Sequence, residues 1–127
     1  MQIISLVENT RLAHRQDLHT EPDLATYIFS NGRQILFDTG MSGIFHSNAR
    51  RLNVDITQTD LAVISHHHFD HGGGLATLLE TNRQAMIYLR SSTADRLSLE
   101  LIGLFKRSIG LDQSLFQRYP KRFAFVN

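Results

Sequence analysis

The chain has 127 residues, 42% hydrophobic and 20% charged, with 13 Lys and Arg against 12 Asp and Glu for a formal charge of +1. These values suit one globular domain and exclude a disordered or fibrous chain, and the charge balance gives no general pull toward nucleic acid or an anionic membrane. There is no Cys, so disulfides and thiolate metal sites are excluded, and any metal must be held by His, Asp or Glu.

The N-terminus, Met1-Gln2-Ile3-Ile4-Ser5, has no basic n-region and no small-residue cleavage site, so a cytoplasmic chain without a signal peptide is expected. No apolar run approaches the ~20 residues that span a bilayer. Ile3, Ile4, Leu6 and Val7 predict a short buried strand, and residues 8–22, with His14, Asp17, His19 and Glu21, an irregular loop. Leu24–Ser30 and Gln34–Phe37 predict two strands joined at Asn31-Gly32, a pair that tolerates the positive φ angles of a type I′ hairpin. The second strand ends at Asp38-Thr39-Gly40. Ile44, Phe45, Ala49 and Leu52 give Gly43–Leu52 the spacing of a helix with one buried face. Thr57–Asp60 reads as a turn, and Leu61–Ile64 as a strand buried on both sides. After a histidine cluster and Gly72-Gly73-Gly74, residues Leu75, Leu78 and Leu79 open another helix. Met86–Leu89 predicts a strand, Thr93–Ser108 an amphipathic helix with Gly103 as its weak point and Gly110 as its stop, and Phe123–Val126 a last strand. The alternation of strands and helices is that of the α/β class (α+β in some schemes).

Chemistry concentrates in Ser65-His66-His67-His68-Phe69-Asp70-His71, which holds four of the seven histidines. Imidazole and carboxylate both suit zinc-like ions. His66 and His68, two apart, project to the same side of an extended backbone and can reach one metal. Asp70 and His71 continue around a turn, within reach of a second ion. The glycines that follow remove side chains beside the site and let a helix begin close to it. The segment follows the C-terminal end of a strand, where open α/β sheets place their sites. A histidine tract can also be a solvated loop that binds metal adventitiously. The H-x-H-x-D-H order, framed by an apolar strand, glycines and a helix, argues for a built site. No pattern supports His14, His19 or His46, which are read as exposed or locally bonded.

This segment, continued by Gly72-Gly73-Gly74-Leu75, resembles the H-x-H-x-D-H motif of the metallo-β-lactamase superfamily. Ile35-Leu36-Phe37-Asp38-Thr39-Gly40 resembles that family's strand ending in Asp-x-Gly. Together with Val7-Glu8-Asn9, the two segments look most like the metal-dependent hydrolases related to a pterin-ribofuranosylaminobenzene phosphate synthase. The resemblance implies half of an αββα sandwich, a mixed sheet with flanking helices, with residues 1–127 forming a single, truncated domain. It implies His66 and His68 as ligands of a first metal and Asp70 and His71 as ligands of a second. Asp38 is implied to hold the metal loop through hydrogen bonds without touching metal; a turn-forming Asp is the plainer alternative. His67 falls on a variable position and receives no role. Asp70 is the implied catalytic residue, holding one metal, orienting the nucleophile and accepting its proton. The implied cofactor is Zn2+, as one or two ions, with Fe or Mn as other choices. The implied activity is attack of metal-activated hydroxide on an ester, lactone, thioester or phosphoester.

Family members carry further ligands downstream: a later His for the first metal, a bridging carboxylate and another His. Residues 72–127 contain no His, and their acids are Glu80, Asp95, Glu100 and Asp112, of which Asp95 and Glu100 read as a solvated helix face. One metal held by His66, His68 and His71 is thus a second arrangement, and a metal-binding but catalytically incomplete half-domain is the alternative function. The sandwich's second layer has no counterpart either, so one apolar sheet face is expected to be uncovered and to favour association. Expected partners are therefore a small-molecule substrate and a second copy covering that face, with no nucleic acid and no membrane. His68 stands where flavin-linked di-iron oxidoreductases typically carry Glu, which sets that branch lower. The charge balance sets the nuclease branch lower. Glyoxalase-type thioester hydrolysis shares the motif and stays open.

Overall fold

Alternation of apolar and polar side chains organises the fold, seen in a computed structural model that describes residues 1–8, 10, 13–21, 24–40, 42–65, 74–90 and 114–126. Six strands form one sheet: β1 (Gln2–Val7), β2 (Ala25–Ser30), β3 (Arg33–Phe37), β4 (Leu61–Val63), β5 (Met86–Arg90) and β6 (Phe123–Val126). Helices α1 (Ile44–Arg51), α2 (Leu75–Thr81) and α3 (Ser114–Arg118) and a 3-10 turn (Ile56–Gln58) connect them. Strand order follows chain order, β1-β2-β3-β4-β5-β6. The first three strands run antiparallel, and β3 through β6 run parallel. The sheet is mixed, as expected.

The hairpin between β2 and β3 turns on Asn31 and Gly32, whose φ angles are 52° and 76°. Both are positive, as the type I′ turn requires. Register then places Ile4, Tyr27, Leu36, Ala62, Ile87 and Phe123 in one row across all six strands. Helices α1 and α2 cover that row. Their buried residues, Phe45, Asn48 and Ala49 on α1 and Leu75, Leu78 and Leu79 on α2, recur at the three- and four-residue spacing of one helix face. Asn48 is the polar member of this core. Its amide donates to Leu6 O and His19 O at 2.8 and 2.9 Å and accepts from His19 N at 2.9 Å, so its burial leaves the group paired.

The opposite face carries Ile3, Ile28, Ile35, Leu61 and Met86 in a second row. These side chains are half-buried, except Ile3, which is 59% exposed. Strand β4 corrects an expectation here. Ala62 and Ile64 are buried, but Leu61 and Val63 are only half-buried. Helices α1 and α2 pack against one face alone, so β4 is not covered equally on both sides. The turn expected at residues 57–60 begins one residue earlier as a 3-10 turn, with Asp55 Oδ1 accepting from Thr57 N at 3.0 Å. The short helix α3 has no counterpart in the sequence reading; its Phe116 ring stacks 4.5 Å from Phe123 of β6. The helix expected over residues 93–108 lies outside the described residues. No helix among the described residues is long and apolar enough to cross a membrane.

Candidate metal centre

Parallel pairing of β3 with β4 sets their C-terminal ends side by side. The chain leaves β3 at Asp38 and leaves β4 at Ile64-Ser65, so two loops emerge together at one edge of the sheet. Asp38 N donates to Val63 O at 2.8 Å, which extends the ladder by one bond. Asp38 then turns with φ of 60°, a left-handed conformation that costs a non-glycine residue about 1–2 kcal/mol. The turn carries its carboxylate, 2% exposed, to the neighbouring loop. One oxygen accepts from Ser65 N at 2.8 Å and the other from Ser65 Oγ at 2.6 Å. Hydrogen bonds to a carboxylate are about twice as strong as neutral ones, so Ser65, the residue directly before His66, is firmly held.

Thr39 is fully buried, and its Oγ1 accepts from Gly74 N at 3.2 Å. Gly74 lies so close that an added Cβ would fall 2.5 Å from Thr39 O and 2.8 Å from both Ser42 O and the Phe45 ring. Two of those neighbours are backbone atoms, so only glycine fits. The loop is braced from behind by Glu21. Its carboxylate accepts from Ser42 N at 3.2 Å and from Ser42 Oγ at 2.9 Å. Gly40, with φ of 71°, passes beneath the same carboxylate, where a Cβ would meet Glu21 Oε1 at 2.5 Å.

Of the residues singled out by sequence, Asp38 sits in this junction. His66, His67, His68, Asp70 and His71 lie outside the described residues, as do Asp95, Glu100 and Asp112. Among the described residues, no group of three or more His, Cys, Asp or Glu could hold a metal ion. His14 and His19 are exposed, His46 is half-buried on α1, and Glu80 is exposed on α2. The donor set of residues 66–71, three imidazoles and a carboxylate without thiolate, has the chemistry of a zinc, iron or manganese site. Sequence reading passed over Thr39, Ser65 and Glu21. Thr39 and Ser65 stand inside the quoted motifs, but their roles depend on partners 35 and 27 residues away. Glu21 carried no signal within its polar loop.

Three known proteins bear on this arrangement. The chain is 38% identical over 65 residues to 7,8-dihydropterin-6-methyl-4-(β-D-ribofuranosyl)-aminobenzene-5′-phosphate synthase of Methanocaldococcus jannaschii, covering 46% of this chain and 21% of that protein. The crystal structure of Tm1679, a metal-dependent hydrolase of the β-lactamase superfamily, matches with a TM-score of 0.58 and 31% identity over 72% of this chain and 30% of the other. The Rm3 metallo-β-lactamase matches with a TM-score of 0.54 and 26% identity over 64% of this chain and 31% of the other. The chain thus spans about a fifth of the curated relative and under a third of each structure. The sequence pattern of the metallo-β-lactamase superfamily matches residues 21–101, a stretch holding both the D-T-G turn and the histidine segment. With the fold and the two motifs in agreement, the chain belongs to the metallo-β-lactamase superfamily.

Proposed function

We propose that this chain is a metal-dependent hydrolase module, with His66, His68, Asp70 and His71 holding one or two divalent ions, zinc first and iron or manganese as alternatives. The observation that carries the reading is the family match across residues 21–101, which takes in every one of these donors. When bound, such an ion lowers the pKa of water toward ~7 and so supplies a nucleophile for an ester, lactone, thioester or phosphoester. The chain's own groups divide the remaining work. Asp38 fixes Ser65 and thereby the start of the ligand segment. Asp70, a carboxylate among imidazoles, orients the nucleophile and takes up the proton released in attack. A small-molecule substrate is proposed, since the charge of +1 offers nothing to attract a polyanion. Hydrolysis is preferred to the synthase chemistry of the curated relative because the structure of Tm1679, described as a metal-dependent hydrolase, shares this chain's fold at a TM-score of 0.58 and 31% identity.

A second reading, a metal-binding half-domain without turnover, is favoured by one fact: residues 72–127 contain no His to complete each ion's ligand set. Zinc titration followed by assay on ester, lactone, thioester and phosphodiester substrates separates the two. Turnover that rises with bound zinc supports the hydrolase. Stoichiometric metal with no turnover on any substrate gives the second reading, and no binding of zinc, iron or manganese defeats both.

A further inference from the structure

The two described residues that flank residues 66–73 are both held by one short loop. Asp38 holds Ser65, immediately before the segment, and the adjacent Thr39 holds Gly74, immediately after it. We propose that Thr39 is a positioning residue for the metal: its buried hydroxyl pins the return of the ligand segment, as Asp38 pins its departure, and so sets zinc affinity. The inference rests on the metal-binding reading above and extends it to a side chain outside the donor set.

The geometry gives the pin its precision. Thr39 is fully buried, so the Gly74 N–H has no water to fall back on if the hydroxyl is lost. The approach of Gly74 to Thr39 O and Ser42 O leaves no room for even a methyl group, so the segment's end is fixed against backbone, not against a movable side chain. The loop that does the pinning is itself braced, because the Glu21 carboxylate ties Ser42 N and Oγ and closes over Gly40. Donors carried on one short segment bind at a smaller ordering cost when the residues that flank the segment, Ser65 and Gly74, are already held. Hydrogen bonds that orient ligands without touching metal are worth about 10–100-fold in affinity.

The test compares zinc affinity, measured by competition with a chromophoric chelator, in the whole chain and its variants. Thr39→Val keeps the shape and removes the acceptor; it should weaken zinc binding about tenfold or more. Thr39→Ser restores the hydroxyl and should recover most of the affinity. Melting of the metal-free proteins is recorded alongside. A Thr39→Val protein that melts earlier yet binds zinc as tightly as wild type shows a purely structural threonine and overturns the proposal. Amide exchange in the unaltered chain gives a readout that needs no variant. Zinc should slow exchange of the Gly74 N–H by a larger factor than that of the Asn82 N–H, which bonds Leu78 O at 2.8 Å at the far end of the same helix. Equal factors overturn the proposal while leaving the metal reading intact. A wild-type chain that binds none of zinc, iron and manganese overturns the metal reading itself, and the proposal with it.

Discussion

Asp38 and Asn82 are buried polar side chains at opposite ends of one sheet, and they stitch it by contrasting means. Asn82 sits before β5 with an ordinary φ of -117°. Its amide donates to Ile56 O and Thr59 O at 2.9 and 3.0 Å and accepts from Gln84 N and Ala85 N at 2.9 and 2.7 Å. Arg122 joins the same knot through Nη2 at 3.3 Å and bonds Ala85 O through Nε at 2.7 Å; burial holds its guanidinium below the usual range. Every partner is a turn or strand end, and the network closes on itself. Asp38 uses an ionisable carboxylate on a left-handed backbone, and its partner Ser65 leads directly into the histidine segment. Asp38 thus combines a left-handed backbone with a carboxylate where the strands' C-terminal ends open, whereas Asn82 is a neutral side chain on an ordinary backbone. On the proposed function, the contrast separates a residue that holds the fold from one that helps present ligands.

That division can be broken at several points. The largest effect belongs to the proposed ligands: His66→Ala or His68→Ala should cut zinc content sharply by metal analysis, and His67→Ala should leave it intact. Equal loss from all three would remove the ligand assignment. Next, Asn82→Ala strips partners from several buried backbone groups and should cost roughly 3 kcal/mol in denaturant unfolding. Zinc affinity of the folded fraction should not move; if it falls, the Asn82 network also serves the metal. Asp38→Asn keeps the shape and removes the charge. It should lower zinc affinity about 10–100-fold, with a smaller change in metal-free stability, and the reverse ranking would make Asp38 merely a turn residue.

The smallest effect lies at Tyr27, whose hydroxyl meets Thr59 Oγ1 at 2.8 Å and Gln34 Oε1 at 3.0 Å. Burial pushes its phenol up, partly offset by the Thr59 bond. The folded chain therefore keeps a proton that the unfolded chain releases above pH about 10, so this contribution is whole below that pH and declines above it. Tyr27→Phe should cost about 1 kcal/mol at neutral pH and flatten the alkaline decline in stability, with zinc affinity unchanged. An alkaline decline as steep as in wild type would assign it to other groups.

The parts of the fold written in short-range pattern were legible in the sequence. Asn31-Gly32 announced a hairpin because only such residues accept two successive positive φ angles, and the three- and four-residue spacing on α1 and α2 announced their buried faces. Helix α3 is five residues long, too short for periodicity to speak. Local pattern is also silent on long-range pairing. Asn48 looks like a polar interruption of an apolar face until Leu6 O, 42 residues away, is seen to receive its amide. Glu21 reads as one acid in a polar loop until the fold brings Ser42 to it. For the proposed metal site, the donors come from the family resemblance and lie outside the described residues, while the sequence placed Asp38 at a strand end. Its bond to Ser65 depends on β3 and β4 being neighbours, which periodicity does not encode.

Each strand of this sheet is bonded to the one made just before it. Among the described strands, a nascent chain leaving the ribosome therefore need not wait for a later strand to find a ladder partner, nor open an existing pair to insert one. The three antiparallel strands can zip first, and each parallel strand then adds to a rim already in place, which keeps unpaired edges few and brief during synthesis.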